Sequence, residues 1–505
     1  MGSYHGVKGQ YTTVQAAVNA ARPGDWILIG PGDYKTRVKN VRSPRGHSEF
    51  PAGVLITKPR LHIRGMNRNT VIIDGTKPGS AVCSRKGSAQ NFGRAVRGGK
   101  PSGLNGLMVY KARDVSIENL TACNFLGGSQ DAGNEIWWNG GANSGKVGGY
   151  GYYGAYLSTT SSYLKGQNSA GEFSAAQYGV FSSNWSGGTW DHIYASNFND
   201  SGFYIGACQQ VCNQTMNHAH AQYNALGYSG TNSGGRLLIE NSEFDHNEDG
   251  FDTNSQNADE PAPQNGACPA GVTPPVRDAP TCWVFFHNYV HDNNNPNVPA
   301  AGSAAQGPVG TGMSVSGSKN DTIMGNTFRN NNAWGVIFVP YPDSGGPCDG
   351  GTVGGLGPGS CLFDEWGLHL INNQFGSNGG YGHPSNGDFQ KVNLENGHPG
   401  ECYSGNTEIG GGSLMPATSA MAQTLNVDCG NPSAPAGSTD PSFLTEVLCD
   451  AQVSLTSGPP VCPTGQYPRM TKIVMHALPK QPSMKNPCAG VPGNAWCTRK
   501  RTRRA

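Results

Sequence analysis

The densest group of acidic side chains lies in a chain that otherwise carries few charges. Glu248, Asp249 and Asp252 fall close together between Asn247 and Asn254. Carboxylate oxygens at such spacing are the hard ligands that Ca²⁺ prefers. Two carboxyls can also serve as the acid and the base of glycosidic bond hydrolysis. The segment therefore predicts either a calcium site at Glu248, Asp249 and Asp252 or a catalytic pair, and turn capping through local hydrogen bonds is the structural alternative.

A second set of candidates follows a repeated unit of the sequence. Asp245, His291 and Arg329 each come directly after the apolar residue of that unit, as do Asn199 and Gly376. If the units stack, these residues form one outward column. His291 or Arg329 could take the proton α to a uronate carboxyl, while Arg329 or a cation stabilises the enediolate. Alternatively, Asp245 pairs with Asp249 or Asp252 as the acid and base of a glycoside hydrolase, or the column only balances surface charge.

The elements that must position these residues are short strands in a repeating sequence. The repeat has a period of about 22–25 residues, which is typical of a solenoid. In four successive units an Asn follows three residues after a Phe or Val, and these are Asn247, Asn293, Asn331 and Asn378. Stacked coils would join these amides into a hydrogen-bonded ladder.

The same register predicts which side chains face inward and which face outward. A Gly opens one strand of several units. The predicted inward residues are Phe203, Tyr228, Phe251, Met313 and Val336. The predicted outward column is Tyr204, Ser229, Asp252, Ser314 and Ile337. Because the interior of such a coil is filled, any site must lie on the outer side.

The start of the chain predicts a helix followed by a strand. Thr12 or Thr13 can cap a helix whose apolar side is Val14, Ala17, Val18 and Ala21. This opening and the repeated Asn-x-Phe-x-x-Asn units resemble the right-handed parallel β-helix proteins of the pectin-lyase-like superfamily over residues 11–390. The resemblance implies an all-β, right-handed parallel β-helix solenoid whose N-terminal helix caps the core.

The resemblance also implies a function. It favours a carbohydrate-active enzyme that cleaves a polysaccharide in an outer groove, first of all a calcium-dependent lyase acting on an acidic glycan. The Asp249-to-Asp252 stretch resembles the acidic segment that binds calcium in some β-helix lyases, although Glu248 replaces an Asp and no clear lysine base follows. A glycoside hydrolase with paired carboxylates and a non-catalytic cell-surface adhesion protein are the alternatives.

Composition excludes several other classes of protein. Of 505 residues only 14% are charged, Gly occurs 74 times and the net charge is +1. This composition suits a turn-rich chain and offers no global field for nucleic acid or membranes. No apolar run reaches the length of about 18–20 residues that spans a bilayer. The start carries no secretory signal pattern, and the sequence leaves the oligomeric state open.

The cysteines indicate the compartment and the domain division. All 14 fall into sequential near-neighbours, which favours seven local disulfides and a secreted protein. The expected pairs are Cys83–Cys123, Cys208–Cys212, Cys268–Cys282, Cys348–Cys361, Cys402–Cys429, Cys449–Cys462 and Cys488–Cys497. Structural zinc at the closely spaced pair is the alternative. The β-helix domain is expected over residues 1–390, and residues 391–505 are expected to form a disulfide-rich C-terminal cap.

Overall fold

The computed structural model describes residues 2–141, 146–167, 173–208, 211–256, 266–344, 348, 350–354, 358–392, 401–415, 442–451, 461–465 and 467–497. Short parallel strands stack coil on coil and form three faces of one solenoid. The fold is the parallel β-helix that the sequence predicts. Among the residues described, no helix is both long enough and apolar enough to cross a membrane.

The first face is a ten-stranded parallel sheet. Its strands are Ala52–Ile56, Asn105–Tyr110, Asn134–Asn139, Tyr178–Ser183, Ser201–Gly206, Leu226–Thr231, Asp249–Asn254, Thr311–Ser316, Trp334–Val339 and Gly387–Lys391.

The second and third faces form the rest of the coil, and two long strands, Val115–Cys123 and Tyr152–Thr160, bend to contribute to both. The other strands of the second face are Trp26–Ile29, His62–Gly65, Gly188–Asp191, Gln214–Asn217, Leu237–Glu240, Trp283–Phe286, Thr322–Met324, His369–Ile371 and Cys402–Ser404. Those of the third face are Gly32–Lys35, Val71–Asp74, Tyr194–Ser196, His220–Gln222, Glu243–Asp245, Tyr289–His291, Thr327–Arg329, Gln374–Gly376 and Thr407–Glu408.

The remaining strands and helices lie outside the three faces of the solenoid. Antiparallel pairs join Ser3–Tyr4 to Val7–Lys8 and Lys165–Gln167 to Phe173–Ser174. A parallel pair and a small antiparallel sheet add Gly149–Tyr150, Trp185–Ser186, Tyr341–Ser344, Thr352–Val353 and Ser360–Phe363. The helical segments are the α-helices Val14–Ala20 and Phe443–Asp450 and the 3₁₀ turns Val38–Asn40, Gly87–Ala89 and Gly302–Gln306.

The predicted N-terminal helix is confirmed. Thr13 is its N-cap, and the Ala16 amide donates to the Thr13 hydroxyl at 3.1 Å. Val14, Ala17 and Val18 are buried against the core. The capping hydroxyl satisfies an amide that the first turn would leave unpaired.

The predicted inward column is also confirmed. Phe203 pairs with Tyr228 on the next coil, and Phe251 pairs with Met313. Both pairs and Val336 are fully buried, with an exposed fraction of 0%. Tyr228 and Phe251 stack with their ring centroids 4.2 Å apart. Stacked apolar side chains of this kind fill the solenoid and leave chemistry to its outer faces.

The asparagine ladder exists as predicted. The side-chain amide of Asn247 donates to Asn293 at 3.0 Å, Asn293 donates to Asn331 at 3.2 Å, and Asn331 donates to Asn378 at 3.2 Å. A second ladder, not predicted from the sequence, lies at another corner of the coil. Its members are Asn288, Asn326, Asn373 and Asn406. Buried amides must find partners, so each ladder fixes the register of neighbouring coils.

Six of the predicted disulfides are present. They are Cys83–Cys123, Cys208–Cys212, Cys268–Cys282, Cys348–Cys361, Cys449–Cys462 and Cys488–Cys497. The seventh predicted pair involves Cys429, which lies outside the described residues. Zinc at Cys208 and Cys212 is excluded because these two sulfurs are bonded to each other.

The solenoid continues past the predicted boundary at residue 390. Cys402–Ser404 pairs with His369–Ile371, and Thr407–Glu408 pairs with Gln374–Gly376. Parallel pairing therefore extends to residue 408, and the expected division falls inside the last coils.

The last described segment of the chain is a strap that returns along the solenoid. We call residues 467–497 the C-terminal strap; it contains no helix or strand. The Asn197 side chain accepts from the His476 amide and donates to its carbonyl, both at 2.9 Å. Asn69 makes the same pair of bonds with Gln481 nearer the N-terminus. The Trp496 indole then donates to the Val7 carbonyl at 3.1 Å.

Candidate functional site

The candidate site is a groove on the outer side of the first face, which we call the acid groove. It encloses about 360 Å³. Its floor consists of outward side chains of successive coils. Its lining also includes residues of the 3₁₀ turn Gly302–Gln306, residues 340–342 and residues of the helix Phe443–Asp450. The segment that the sequence assigned to a C-terminal cap therefore forms part of the groove.

Two predicted acids meet at the floor of the acid groove. The strand Asp249–Asn254 places Asp249 and Asp252 on its outer side, and Asp252 pairs with Ser314 on the next coil. The Ser314 hydroxyl lies 2.5 Å from Asp249 Oδ2 and 3.2 Å from Asp252 Oδ1. A hydroxyl has one proton, so it can donate to only one of these carboxyls. If Asp249 is protonated, it can donate to Ser314, whose own proton then serves Asp252.

Asp252 has more polar surroundings than Asp249. It accepts hydrogen bonds from Asn254 and from Ser316, the latter at 3.0 Å. Burial raises the pKa of Asp252, and these hydrogen bonds oppose the rise. Burial raises the pKa of the fully enclosed Asp249 well above its usual range, and the charge of Asp252 adds to the effect. Asp252 is therefore the easier of the two to ionise.

A third acid of the groove, Asp200, was not predicted from the sequence. It is partly exposed, and the Tyr178 hydroxyl donates to its Oδ2 at 2.9 Å. Burial raises the pKa of Asp200 to about 6, with hydrogen bonds opposing and the charge of Asp252 contributing. A signal was available, because the register that aligns Gly202 with Gly250 puts Asp200 at the coil position of Glu248.

The predicted calcium ligands do not gather in one place. Asp249 and Asp252 line the acid groove, whereas Glu248 does not. Within the described part of the chain, the groups of three His, Cys, Asp or Glu ligand atoms that could hold one ion lie elsewhere. Burial raises the pKa of Glu248 well above its usual range, which disfavours the charged ligand. Calcium binding at these acids stays a prediction.

The second predicted column lies on a different surface. Asp245 pairs with His291, and His291 pairs with Arg329, as the repeat predicts. These strands belong to the third face, so the column is separated from Asp249 and Asp252 by the corner that carries the asparagine ladder. The prediction that Asn199 extends the column is wrong, because Gln222 pairs with Asp245 and Ser196 is the residue that pairs with Gln222. The expected catalytic set is thus divided between two faces.

Asp245 is enclosed by imidazoles rather than by acids. His220 Nε2 lies 2.5 Å from its Oδ1, and His246 Nδ1 contacts its Oδ2. Burial alone would raise the pKa of Asp245, but the hydrogen bonds from both histidines outweigh it and hold this pKa well below its usual range. His291 is only 12% exposed at its side chain, and its ring nitrogens contact Glu243 and Asp292. The Arg329 side chain is exposed.

Comparisons with known proteins bear on the fold alone. No protein-family model matches the chain, and no curated protein matches it. The mannuronan C-5 epimerase AlgE4 A-module of Azotobacter vinelandii is 11% identical with a TM-score of 0.41, over 78% of this chain and 86% of that module. The catalytic domain of a GH87 alpha-1,3-glucanase in complex with nigerose is 11% identical with a TM-score of 0.30, over 79% and 68%.

A pectin methylesterase from Yersinia enterocolitica is 11% identical with a TM-score of 0.24, over 64% of this chain and 80% of that protein. These three structures resemble the chain in the path of its backbone. At such identities the likeness carries no information about substrate or residue roles, so function must be argued from the site.

Proposed function

We propose that the chain is a glycoside hydrolase that cleaves a neutral polysaccharide bound in the acid groove. The observation that carries the proposal is the presence of two partly exposed carboxyls, Asp200 and Asp252, on a groove floor without a basic partner. Among the described residues that line the groove there is no Lys, Arg or His. Nothing there neutralises these acids, so burial can hold a proton on one of them.

The two acids have surroundings that suit different roles. Asp200, whose pKa is raised to about 6, can protonate the glycosidic oxygen as the bond breaks. Asp252, which accepts bonds from Asn254, Ser314 and Ser316, is the carboxylate that stabilises the positive charge developing on the sugar ring or activates water. Asp249 acts as a positioning residue, because it reaches Asp252 through the Ser314 hydroxyl.

The lining of the groove favours an uncharged sugar chain. Tyr178, Tyr204 and Tyr341 lie along it together with aliphatic side chains of the floor and of the helix Phe443–Asp450. Aromatic and aliphatic surfaces suit the C–H faces of sugar rings. A uronate carboxylate would instead meet Asp200, Asp249 and Asp252 with no described cation beside it, which costs electrostatic energy.

The lyase prediction requires residues of the third face as well as the predicted calcium ligands Asp249 and Asp252 of the acid groove. Arg329 is exposed on the third face and stands in register with His291, so this pair is the arrangement that could bind a uronate and take its α proton. If the calcium-dependent lyase prediction holds, His291→Ala and Asp252→Asn each abolish the formation of unsaturated products, because His291 is a predicted base and Asp252 a predicted calcium ligand. The hydrolase proposal expects activity to be lost in Asp252→Asn alone. The six disulfides support a site of action in an oxidising, extracellular compartment.

The experiment is a screen of the purified full chain against neutral and acidic polysaccharides, with and without a chelator. It follows new reducing ends and the ultraviolet absorbance of unsaturated sugars in the same samples. The hydrolase proposal expects reducing ends from a neutral glycan without absorbance, lost in Asp252→Asn. Ultraviolet absorbance from unsaturated products of an acidic glycan would establish the lyase instead. If no substrate yields any product, the adhesion alternative is favoured.

A further inference from the structure

The third face carries a cluster of metal-ligating side chains that the proposed hydrolase does not use. One ligand atom each from His220, Glu243 and Asp245 lies within 4.8 Å of the others. The backbone enforces this arrangement, because His220 pairs with Glu243 across neighbouring coils and Asp245 ends the same strand. Outward side chains of stacked coils stand about 4.8 Å apart, so small side-chain rotations bring them into one coordination sphere.

Neighbouring residues orient these ligands. Asp245 Oδ2 contacts His246 Nδ1 and accepts from the Gln222 amide at 3.2 Å, which leaves Oδ1 directed at His220. On the other side, His291 Nε2 lies 3.1 Å from Glu243 Oε1. Metal sites in proteins depend on such supporting hydrogen bonds to fix the ligating carboxylates and rings. His291 also offers a fourth donor next to the cluster.

We propose that His220, Glu243 and Asp245 bind a first-row divalent cation of the Zn²⁺ type, with His291 beside them. One imidazole nitrogen and two carboxylate oxygens suit Zn²⁺ at distances of about 2.0–2.2 Å. Ca²⁺ prefers an all-oxygen set and is a poorer match for the ring nitrogen. The side chains of His220 and Glu243 are 30% and 45% exposed, so the ion has access from solvent.

A second group on the outer surface must be separated from this one in any titration. Asp191, His192 and His218 also bring their ligand atoms within 4.8 Å of one another. We therefore use the full chain with His218→Ala as the background, which breaks that group and leaves the third-face cluster intact. His287, an exposed histidine outside both groups, provides the matched control.

The test is calorimetric titration of the chelator-treated protein with Zn²⁺ and with Ca²⁺. We expect one Zn²⁺ per chain in the His218→Ala background, and no comparable heat with Ca²⁺. His220→Gln and Glu243→Gln should each weaken Zn²⁺ binding at least about tenfold, while His287→Ala leaves it unchanged. The visible absorption of Co²⁺ bound in the same background should disappear in His220→Gln, and circular dichroism checks that each variant is folded.

Two results would overturn the proposal. One is Zn²⁺ affinity in His220→Gln and Glu243→Gln equal to that of the His287→Ala control. The other is the absence of stoichiometric binding in the His218→Ala background. Neither result bears on the hydrolase proposal, because the acid groove lies on another face and its assay measures sugar cleavage.

Discussion

The acid groove and the third face both carry carboxylates on stacked coils of one solenoid, with opposite electrostatic results. In the groove, burial raises the pKa values of Asp200 and Asp249. On the third face, the hydrogen bonds from His220 and His246 outweigh burial and lower the pKa of Asp245. The strand spacing is the same in both places. The neighbouring residue type therefore decides whether a coil-stacked acid holds a proton or stays ionised.

This difference assigns different chemistry to the two faces. An acid that keeps its proton near neutral pH can donate it to a leaving group. An acid that stays ionised beside imidazoles is suited to bind a cation. The predictions below separate the two faces in order of decreasing effect.

The largest effect is expected from Asp252→Asn in the acid groove. Losing the ionised partner of an acid–base pair should lower kcat on a neutral polysaccharide by about 10²- to 10⁴-fold. Reducing-end assays measure this change. Glu240→Gln, a carboxylate substitution on the second face, is the control and should retain activity. Equal losses in both variants would show that the groove has no special part in the reaction.

The pH dependence of hydrolysis should show whether a protonated acid of the groove takes part in the reaction. Burial raises the pKa of Asp200 from 3.8 to about 6, so its protonated fraction falls about tenfold per pH unit above that value. We expect hydrolysis to decline in the same way above pH 6, and Asp200→Asn to lack this limb. Because the folded state binds the proton more tightly, this group's contribution to stability is lost as pH rises from about 4 to 6. A rate of hydrolysis that stays constant or rises above pH 6 would contradict the assignment.

Asn331→Ala tests how much the asparagine ladder, at the corner between the first and third faces, stabilises the fold. Asn331 donates to Asn378 and to the Val290 carbonyl and accepts from Asn293, all while fully buried. Leaving these partners unsatisfied should cost about 3 kcal/mol and lower the melting temperature.

The neighbouring Asn332 is partly exposed and outside the ladder, so Asn332→Ala should cost less. Thermal melts of both variants check the difference. Equal shifts would show that the ladder has no special stabilising part.

The smallest effect is expected from metal removal. Because Glu248, Asp249 and Asp252 do not form one ligand group, a chelator should leave hydrolysis within about twofold of its original rate. Assays before and after dialysis against chelator measure this. Activity that disappears with the chelator and returns with Ca²⁺ would instead support the calcium prediction made from the sequence.

Local patterns in the sequence were sufficient for the register. The distance from Phe244 to Asn247 recurs along the chain, so the ladder and the inward column could be predicted coil by coil. Near-neighbour cysteines gave the disulfides for the same reason. The assignment of Asp245 and Asp252 to separate faces could not be predicted as easily, because it depends on where the coil turns at Asn247.

Contacts between distant parts of the chain were beyond the sequence. Nothing local in the helix Phe443–Asp450 indicates that Leu448 lines the same groove as Asp200, since the two are brought together only by the folded solenoid. Tyr178 likewise supports Asp200 across a coil. The C-terminal strap was missed because it has no periodicity and is held by backbone bonds to scattered Asn side chains.

The C-terminal strap changes how such a molecule comes apart. A stack of repeats normally unravels from a free end, one unit at a time. Here Asn197 and Asn69 hold the strap along the stack, and Trp496 joins it to Val7 in the first residues. The C-terminal strap thereby connects the last described residues to the first residues of the chain. Under mechanical load the strap must detach before the first coil can separate from the stack. Detachment of the strap is therefore the step on which unfolding from either end depends.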